Sequence, residues 1–570
     1  MHITKSIDER INSGEFFLAV LYATLFLLFL VFGLSLHLDH VALPFRICSA
    51  LADGGVIVMA CMWLKGKWRY IGAGLTFALG WLLLANLFYF RNFEDLLQAS
   101  SYLNANISDP AITAGALSSF KTTDLVFIIL PFCPLACLLY GRRKAIHSPV
   151  GSGWKLGISA VCVLSWALSY AGVFRRMCLW YPDASLKDVA GMIFSKDNAT
   201  WSDVYERHGF TGYAAECIVS YFNIGMDLTQ ADVDEIKGSL SDHTLRQSRL
   251  RRDSIKAMNG RNLIMIIVES LPYKVLEKPE AIALMPNLAS EAGDSSTIVS
   301  RCGILASYGR SSDAQFIFNT GLLPLRHEAL VDNYAFYDYP SIAKALGRTS
   351  MEIIGENKNL WNHSLTTKSY GFDTLVDNVA PTGMDQDSII FKRAETEIAK
   401  LKAPFFLFIT SISMHDPYDS RRVSDESIYN SIKADDPRDR EYYARLKHFD
   451  RSLGRFLAFL RQEGIFDESV IVIIGDHEIR ASKISPELHD DCVPFIIINS
   501  PVDGAHDCGS TQLDVFPTIL DMMEARSGWL GVEYSGLGRS IFTPEEADGV
   551  YMPTDSDYRI SEMIIKGRPK

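Results

Sequence analysis

The 570-residue chain has no basic surplus. Its 55 Lys and Arg are outnumbered by 67 Asp and Glu, for a net charge of −12, and the basic face expected of a nucleic-acid binder is missing. It has no internal repeat and no low-complexity tract, so a repeat array is excluded. No small-residue cleavage pattern follows the first apolar run, and that run is too long for a signal peptide. Cysteine is sparse. Ten are present, five of them beyond the apolar half: Cys178, Cys217, Cys302, Cys492 and Cys508. An odd number leaves at least one unpaired; Cys492 and Cys508 are close enough in sequence to bridge a loop.

What is present divides into two halves. The overall composition, 48% hydrophobic and 21% charged, averages a strongly apolar segment and an ordinary soluble one. Apolar stretches near 15–37, 43–64, 70–90, 121–140 and 154–174 approach or exceed the ~20 residues that cross a bilayer as a helix. Residues 1–175 are therefore expected to form a five-helix transmembrane domain. Arg46 and Asp53 interrupt the second stretch. Asp53 is either a functional intramembrane carboxylate, a partner of Arg46, or part of a helix interface.

Lys and Arg in the short loops set the orientation. Lys5 and Arg10, then Lys65, Lys67 and Arg69, then Arg142, Arg143, Lys144 and Lys155 fall on one side, the cytoplasmic one. The opposite loops carry Arg46, Arg91 and Lys121. Everything after the fifth span is then extracytoplasmic. Arg175 and Arg176 break this pattern and read as snorkelling or phospholipid-facing residues. Residues 176–255 read as a juxtamembrane helical linker, with "SLKDVAGMIF" and "TQADVDEIKGSLSDHTLRQSRLRR" as its helices. Residues 256–545 read as the soluble domain and 546–570 as a tail.

In the soluble half, apolar runs alternate with helical patterns. "NLIMIIV" (262–268), "MEIIG" (351–355), "PFFLFIT" (404–410), "SVIVIIG" (469–475) and "VPFIIIN" (493–499) read as strands buried on both faces. That pattern gives an α/β domain with a central, mostly parallel sheet. Ligands of such sheets bind beyond the strands' carboxyl ends. Glu269 and Ser270 follow the first run, Asp476 and His477 the fourth, and "SISMHDPYD" with His415 the third. Oxygen ligands plus an imidazole suit Zn²⁺ or Mn²⁺. In "ASYGRSSDAQF" (306–316), Ser312 and Gln315 have the spacing of a capping box, which leaves Ser311 one step earlier, at a helix mouth. His448 lies in a long helix and reads as structural; His327 and His506 have no partner pattern.

The ordered set Glu269–Ser270, "MPNL", "GRSSDAQF", "WNHS", "MHDPY", "GDHE", "VPFII" and "DVFPTIL" resembles the alkaline phosphatase/sulfatase superfamily. With five spans ahead of it, the chain resembles its lipoteichoic acid synthase branch, whose members transfer phosphoglycerol to glycolipids or glycans; phosphoethanolamine transferases share the architecture. The resemblance implies one divalent metal, Mn²⁺ or Zn²⁺, held by Glu269, Asp476, His477 and the oxygen of the nucleophile Ser311, where the branch has threonine. It also implies that Trp361 and His415 line the substrate pocket, with His415 as acid, base or phosphate ligand. His363 stands where an arginine commonly grips the phosphate, and His489 where phosphoethanolamine transferases bring a histidine near the metal.

The implied partners are a phosphatidylglycerol or phosphatidylethanolamine donor and a glycan or glycolipid acceptor, at a bacterial cytoplasmic membrane. A phosphodiesterase and a non-catalytic lipid sensor are the rival readings. A formylglycine sulfatase is disfavoured, because "SSDAQ" lacks the C/S-x-P-x-R context.

Overall fold

The computed structural model describes residues 14–36, 42–93, 95–98, 119–140, 150–180, 184–194, 201–222, 225–250, 255–326, 328–380, 386–416, 418, 426–479, 484–502, 509–543 and 552–568. His327, His506 and Cys508 lie outside them, so the Cys492–Cys508 pairing does too. The chain divides into two compact units, Met1–Asn223 and Ile224–Lys570.

Five helices of the first unit are long and apolar enough to cross a membrane: Gly14–Ser35, Leu43–Cys61, Gly66–Arg91, Thr122–Tyr140 and Ser152–Leu179. The first buries Phe17, Leu21, Leu25, Leu28 and Phe32, a stripe with helical spacing. Small residues let spans approach closely. A Cβ on Gly55 would stand 2.8 Å from the Cys162 side chain of the fifth span, and one on Gly80 would stand 2.4 Å from the Phe127 carbonyl of the fourth.

The helix Trp201–Phe222 also belongs to the first unit. It breaks at Gly209, where φ is 69°, and each of its two starts is capped by a carboxylate from elsewhere. Asp95 accepts the Trp201 and Ser202 N–H groups at 3.2 and 2.6 Å. Asp53 accepts the Phe210 and Thr211 N–H groups, both at 2.9 Å, and the Thr211 hydroxyl at 2.6 Å. The intramembrane carboxylate is thus a helix cap. Arg46 donates to the Gly33 carbonyl at 3.4 Å.

The second unit is built on an eight-stranded sheet. Its strands, numbered in chain order, are β1 (Asn262–Val268), β2 (Ile298–Gly303), β3 (Ser350–Ile353), β4 (Thr374–Val376), β5 (Phe406–Thr410), β6 (Ser469–Gly475), β7 (Cys492–Ile498) and β8 (Ser510–Thr511). The spatial order is β4-β3-β5-β1-β6-β7-β2-β8. Only β7 runs antiparallel to its neighbours.

β1 is wholly buried. Leu263, Met265 and Ile267 join one core, while Ile264, Ile266 and Val268 join the other. Each such side chain stabilises the fold by about 1.5–3 kcal/mol relative to exposure. The strands legible as apolar runs are all present. β2, β4 and β8 were not legible: β2 alternates buried and half-buried residues, β4 is three residues long and β8 is two. Within the segment set apart as a tail, the helix Asp555–Lys566 places Ile560, Met563, Ile564 and Ile565 in the first core.

Register decides what meets at the sheet edge. Ile267 pairs with Thr410, and Val268 pairs with Gly475. The residues that follow, Glu269, Ser411 and Asp476, therefore emerge side by side.

Candidate active site

The Ser311 loop begins where β2 ends. Gln512 steadies it: its Oε1 accepts the Leu305 and Ala306 N–H groups, and its Nε2 donates to the Asp476 carbonyl at 2.6 Å. The loop turns sharply at Gly309 and Arg310. A Cβ on Gly309 would lie 2.4 Å from Asp313 Oδ1, so only glycine fits there. Arg310 has φ 46°, a left-handed conformation costly for a non-glycine residue and concentrated at functional sites.

The helix Ser311–Thr320 starts directly after this turn, two residues earlier than the capping-box reading requires. Ser312 is consequently inside the first turn and donates to the Gly309 carbonyl at 2.8 Å. Gln315 points into the core toward Thr410, at 3.5 Å. The loop is closed instead by Asp313, whose Oδ2 accepts the Ser307 and Gly309 N–H groups at 3.1 and 2.8 Å.

Ser311 Oγ lies 3.0 Å from His477 Nε2 and 3.3 Å from Glu269 Oε2. Glu269, Asp476 and His477 are all buried, and one ligand atom from each falls within 4.8 Å of the others. Around them the polar groups are ordered. Asp476 Oδ1 accepts the Ser270 and His477 N–H groups at 2.8 and 2.7 Å. Ser270 Oγ donates to Glu269 Oε1 at 2.6 Å. His477 Nδ1 is 2.9 Å from the Glu478 carbonyl and 3.2 Å from Arg310 Nη2; with its proton on Nδ1, toward the nearer carbonyl, the ring turns the Nε2 lone pair to the cluster, as metal-ligating histidines require. Arg310 also grips Glu478, 2.8 Å from its carbonyl and 3.2 Å from its carboxylate.

Burial pushes the Glu269 carboxyl well above its usual range, and the neighbouring Asp476 pushes it further. Asp476 is raised by burial as well. Asp476 Oδ2 is buried, lies 3.5 Å from His477 Nε2 and has no well-aligned hydrogen-bond donor among the described residues. Two buried carboxylates, one with a bare oxygen, beside an imidazole lone pair and a hydroxyl, fit a divalent cation. Without one, their mutual repulsion and desolvation are uncompensated.

The remaining sequence-derived residues lie on other loops. Trp361 and Asn362 are both left-handed, with φ 49° and 53°. This double turn leaves Trp361 37% exposed and buries His363 to 4%. The His363 ring faces two carboxylates: Nε2 is 3.3 Å from Glu356 and Nδ1 is 3.9 Å from Glu352. Burial lowers its pKa, but the Glu356 hydrogen bond and the charges of Glu356 and Glu352 outweigh this and hold it above the usual histidine value.

The His415 side chain is 45% exposed, with Nδ1 2.6 Å from the Asp416 carbonyl. Its own carbonyl accepts from Arg445, which Glu441 holds at 2.9 Å. His489 precedes β7, and its buried Nε2 has no hydrogen-bond partner among the described residues. His448 is buried in the helix Pro437–Gln462.

Ser270, Arg310 and Gln512 bond to members of this cluster, Glu356 bonds to His363, and none of the four had a role in the sequence reading. Ser270 alone was signalled, by its place after β1.

A hydroxyl at a helix mouth thus faces buried carboxylates and a histidine beyond the ends of parallel strands, the donor set of a metal-activated nucleophile. The chain carries it behind membrane-spanning helices. Residues 261–525 match the sulfatase family and residues 1–179 match the lipoteichoic acid synthase N-terminal domain. Together the two matches make the chain similar to lipoteichoic acid synthase-like membrane enzymes with a sulfatase-family domain.

Lipoteichoic acid synthase of Staphylococcus saprophyticus is 25% identical over 505 residues, covering 82% of this chain and 75% of that protein. Among solved structures, lipoteichoic acid synthase LtaP from Listeria monocytogenes is 20% identical, covers 55% of this chain and 82% of its own, and gives a TM-score of 0.43. Phosphoglycerol transferase GacH of Streptococcus pyogenes, solved with sn-glycerol-1-phosphate, is 16% identical, covers 53% and 84%, and gives 0.39.

Proposed function

We propose that this chain transfers phosphoglycerol from a membrane phospholipid to a hydroxyl of a glycan or glycolipid, through a covalent intermediate on Ser311. One observation carries the reading: Ser311 Oγ, at the mouth of a ten-residue helix, stands 3.0 Å from His477 Nε2 and 3.3 Å from Glu269 Oε2. Similarity to a lipoteichoic acid synthase along 82% of the chain supports it. The catalytic unit then works on the extracytoplasmic face of a bacterial cytoplasmic membrane.

Glu269, Asp476, His477 and Ser311 Oγ would hold one divalent ion, Mn²⁺ or Zn²⁺, which when bound would acidify the serine hydroxyl and neutralise charge on a phosphoryl oxygen. In the first step Ser311 Oγ attacks phosphorus. The Oγ–P bond forms, the bond from phosphorus to the diacylglycerol oxygen breaks, and the serine proton moves toward Glu269 Oε2. The helix N-terminus favours the negative charge that develops there. His415, exposed and steadied through its backbone by Arg445, protonates the departing oxygen. In the second step it takes the proton from the acceptor hydroxyl, whose oxygen forms the new bond to phosphorus as Oγ–P breaks. Trp361, held outward by its left-handed turn, lies over the headgroup.

Peptide mass spectrometry after incubation with phosphatidylglycerol tests the reading. The expected result is a phosphoglycerol adduct on the Ser311 peptide. Turnover by Ser311→Ala would overturn the covalent step. Release of glycerol phosphate to water, with an acceptor glycan present, would make the enzyme a hydrolase. Phosphoethanolamine transfer is the second reading, favoured by the unpartnered Nε2 of His489 and by the histidine at 363 where the branch commonly has arginine. An adduct formed from phosphatidylethanolamine alone would replace the first reading with it.

A further inference from the structure

The turn that carries Ser311 is fastened to the segment leaving β6 by one side chain. Arg310 Nη2 donates to the Glu478 carbonyl at 2.8 Å, and Nη1 lies 3.2 Å from the Glu478 carboxylate. The same carbonyl faces His477 Nδ1 at 2.9 Å. One backbone oxygen therefore gathers a guanidinium from the nucleophile's turn and the imidazole whose Nε2 stands 3.0 Å from Ser311 Oγ.

Stability does not account for arginine at this position. Arg310 has φ 46°, a region that a non-glycine residue occupies at a cost and glycine occupies freely. Its ion pair with Glu478 is part-exposed, and pairs in contact with water contribute little. What arginine adds is a planar fork that holds a carbonyl and a carboxylate together; the point charge of lysine has no such fork. Its charge also reaches the neighbouring carboxylates. Burial raises the Glu269 and Asp476 carboxyls, and Arg310 draws both back. A ligating histidine is aimed by whatever bonds its other ring nitrogen, and that partner influences metal affinity as well. Here the partner is the Glu478 carbonyl, and Arg310 holds it in place.

We propose that Arg310 is a positioning residue for the metal ligand His477. By fixing the Glu478 carbonyl it fixes the imidazole, so the turn that presents Ser311 also aims the ligand that must share an ion with it. The inference rests on the metal-holding reading of Glu269, Asp476, His477 and Ser311 given above, and is independent of the headgroup transferred.

The test uses the full chain in detergent micelles and reads metal alone, so it stands apart from adduct formation on Ser311. Dissociation constants for Mn²⁺ and Zn²⁺ are measured by competition with a chromophoric chelator, and melting temperatures with chelator in excess. Arg310→Gly keeps the turn without strain and removes the guanidinium. It should bind metal about 10- to 100-fold more weakly, with the metal-free melting temperature unchanged. Arg310→Lys should recover part of the affinity. Glu478→Gln, which keeps the carbonyl, should lose less than Arg310→Gly. Native affinity in Arg310→Gly would overturn the proposal. So would a metal-free melting temperature that falls in step with affinity, because arginine would then be holding the fold rather than the ligand. A native chain that binds neither ion would defeat the metal-holding reading itself, and this inference with it.

Discussion

The two units both bury carboxylates, and they treat them differently. In the membrane unit, Asp53 and Asp95 spend both oxygens on the backbone N–H groups of a broken helix. In the catalytic unit, Glu269 and Asp476 face one another, and Asp476 keeps an oxygen bare. In the same unit, Glu352 and Glu356 adopt a third solution and share the imidazole of His363. A buried acid whose oxygens are filled by the chain is architecture. At Glu269 and Asp476 two acids face one another with an imidazole and a hydroxyl beside them, and that donor set makes a socket for a cation. Burial alone does not separate the cases; the groups that face the carboxylates do.

Breaking the socket should have the largest effect. In Asp476→Asn, bound divalent metal should fall from one per chain to near zero by elemental analysis, and turnover should fall roughly a thousandfold. With chelator present, the same variant should melt above the native protein, because one of two repelling charges has gone. If chelator leaves the native melting temperature unchanged, the socket reading fails.

Next is the internal cation. His363→Ala strands two buried carboxylates and should cost about 3 kcal/mol in denaturant unfolding, in line with other broken buried pairs. Removing a cap comes third. Asp53→Ala should cost about 1–2 kcal/mol, read as a lower melting temperature of the full chain in detergent, with metal content unchanged. Metal loss in that variant would erase the distinction between the two kinds of acid.

The smallest effect is a pH slope. The folded pKa of His363 is raised, so its stabilisation is complete below about pH 6.5 and is lost as pH rises through the folded value. Melting temperatures at pH 6 and pH 8.5 should show the fall, and Glu356→Gln should flatten it.

The socket was legible in the sequence because its ligands directly follow strands buried on both faces, and such strands announce themselves as apolar runs. Asp53 was not, because the N–H groups it caps lie 157 residues away. The spacing of Ser312 and Gln315 matched a local cap, yet the Gly309–Arg310 turn starts the helix two residues sooner and gives the stabilising role to Asp313, which reaches backward. His363 read as an outward ligand by its distance from Trp361; two successive left-handed residues turn one side chain out and the other in, and no periodicity encodes that.

The reversal of β7 has a bearing on how this fold can diversify. Because β7 runs against its neighbours, the segment that enters it, 484–491, reaches the same edge as the segments that leave β1 and β6. Lengthening or shortening that segment reshapes the lip of the pocket while the pairing of β1 with β6 stays as it is. Substrate choice can therefore drift by insertions at one rim of the cleft, with the ligand floor held constant beneath it.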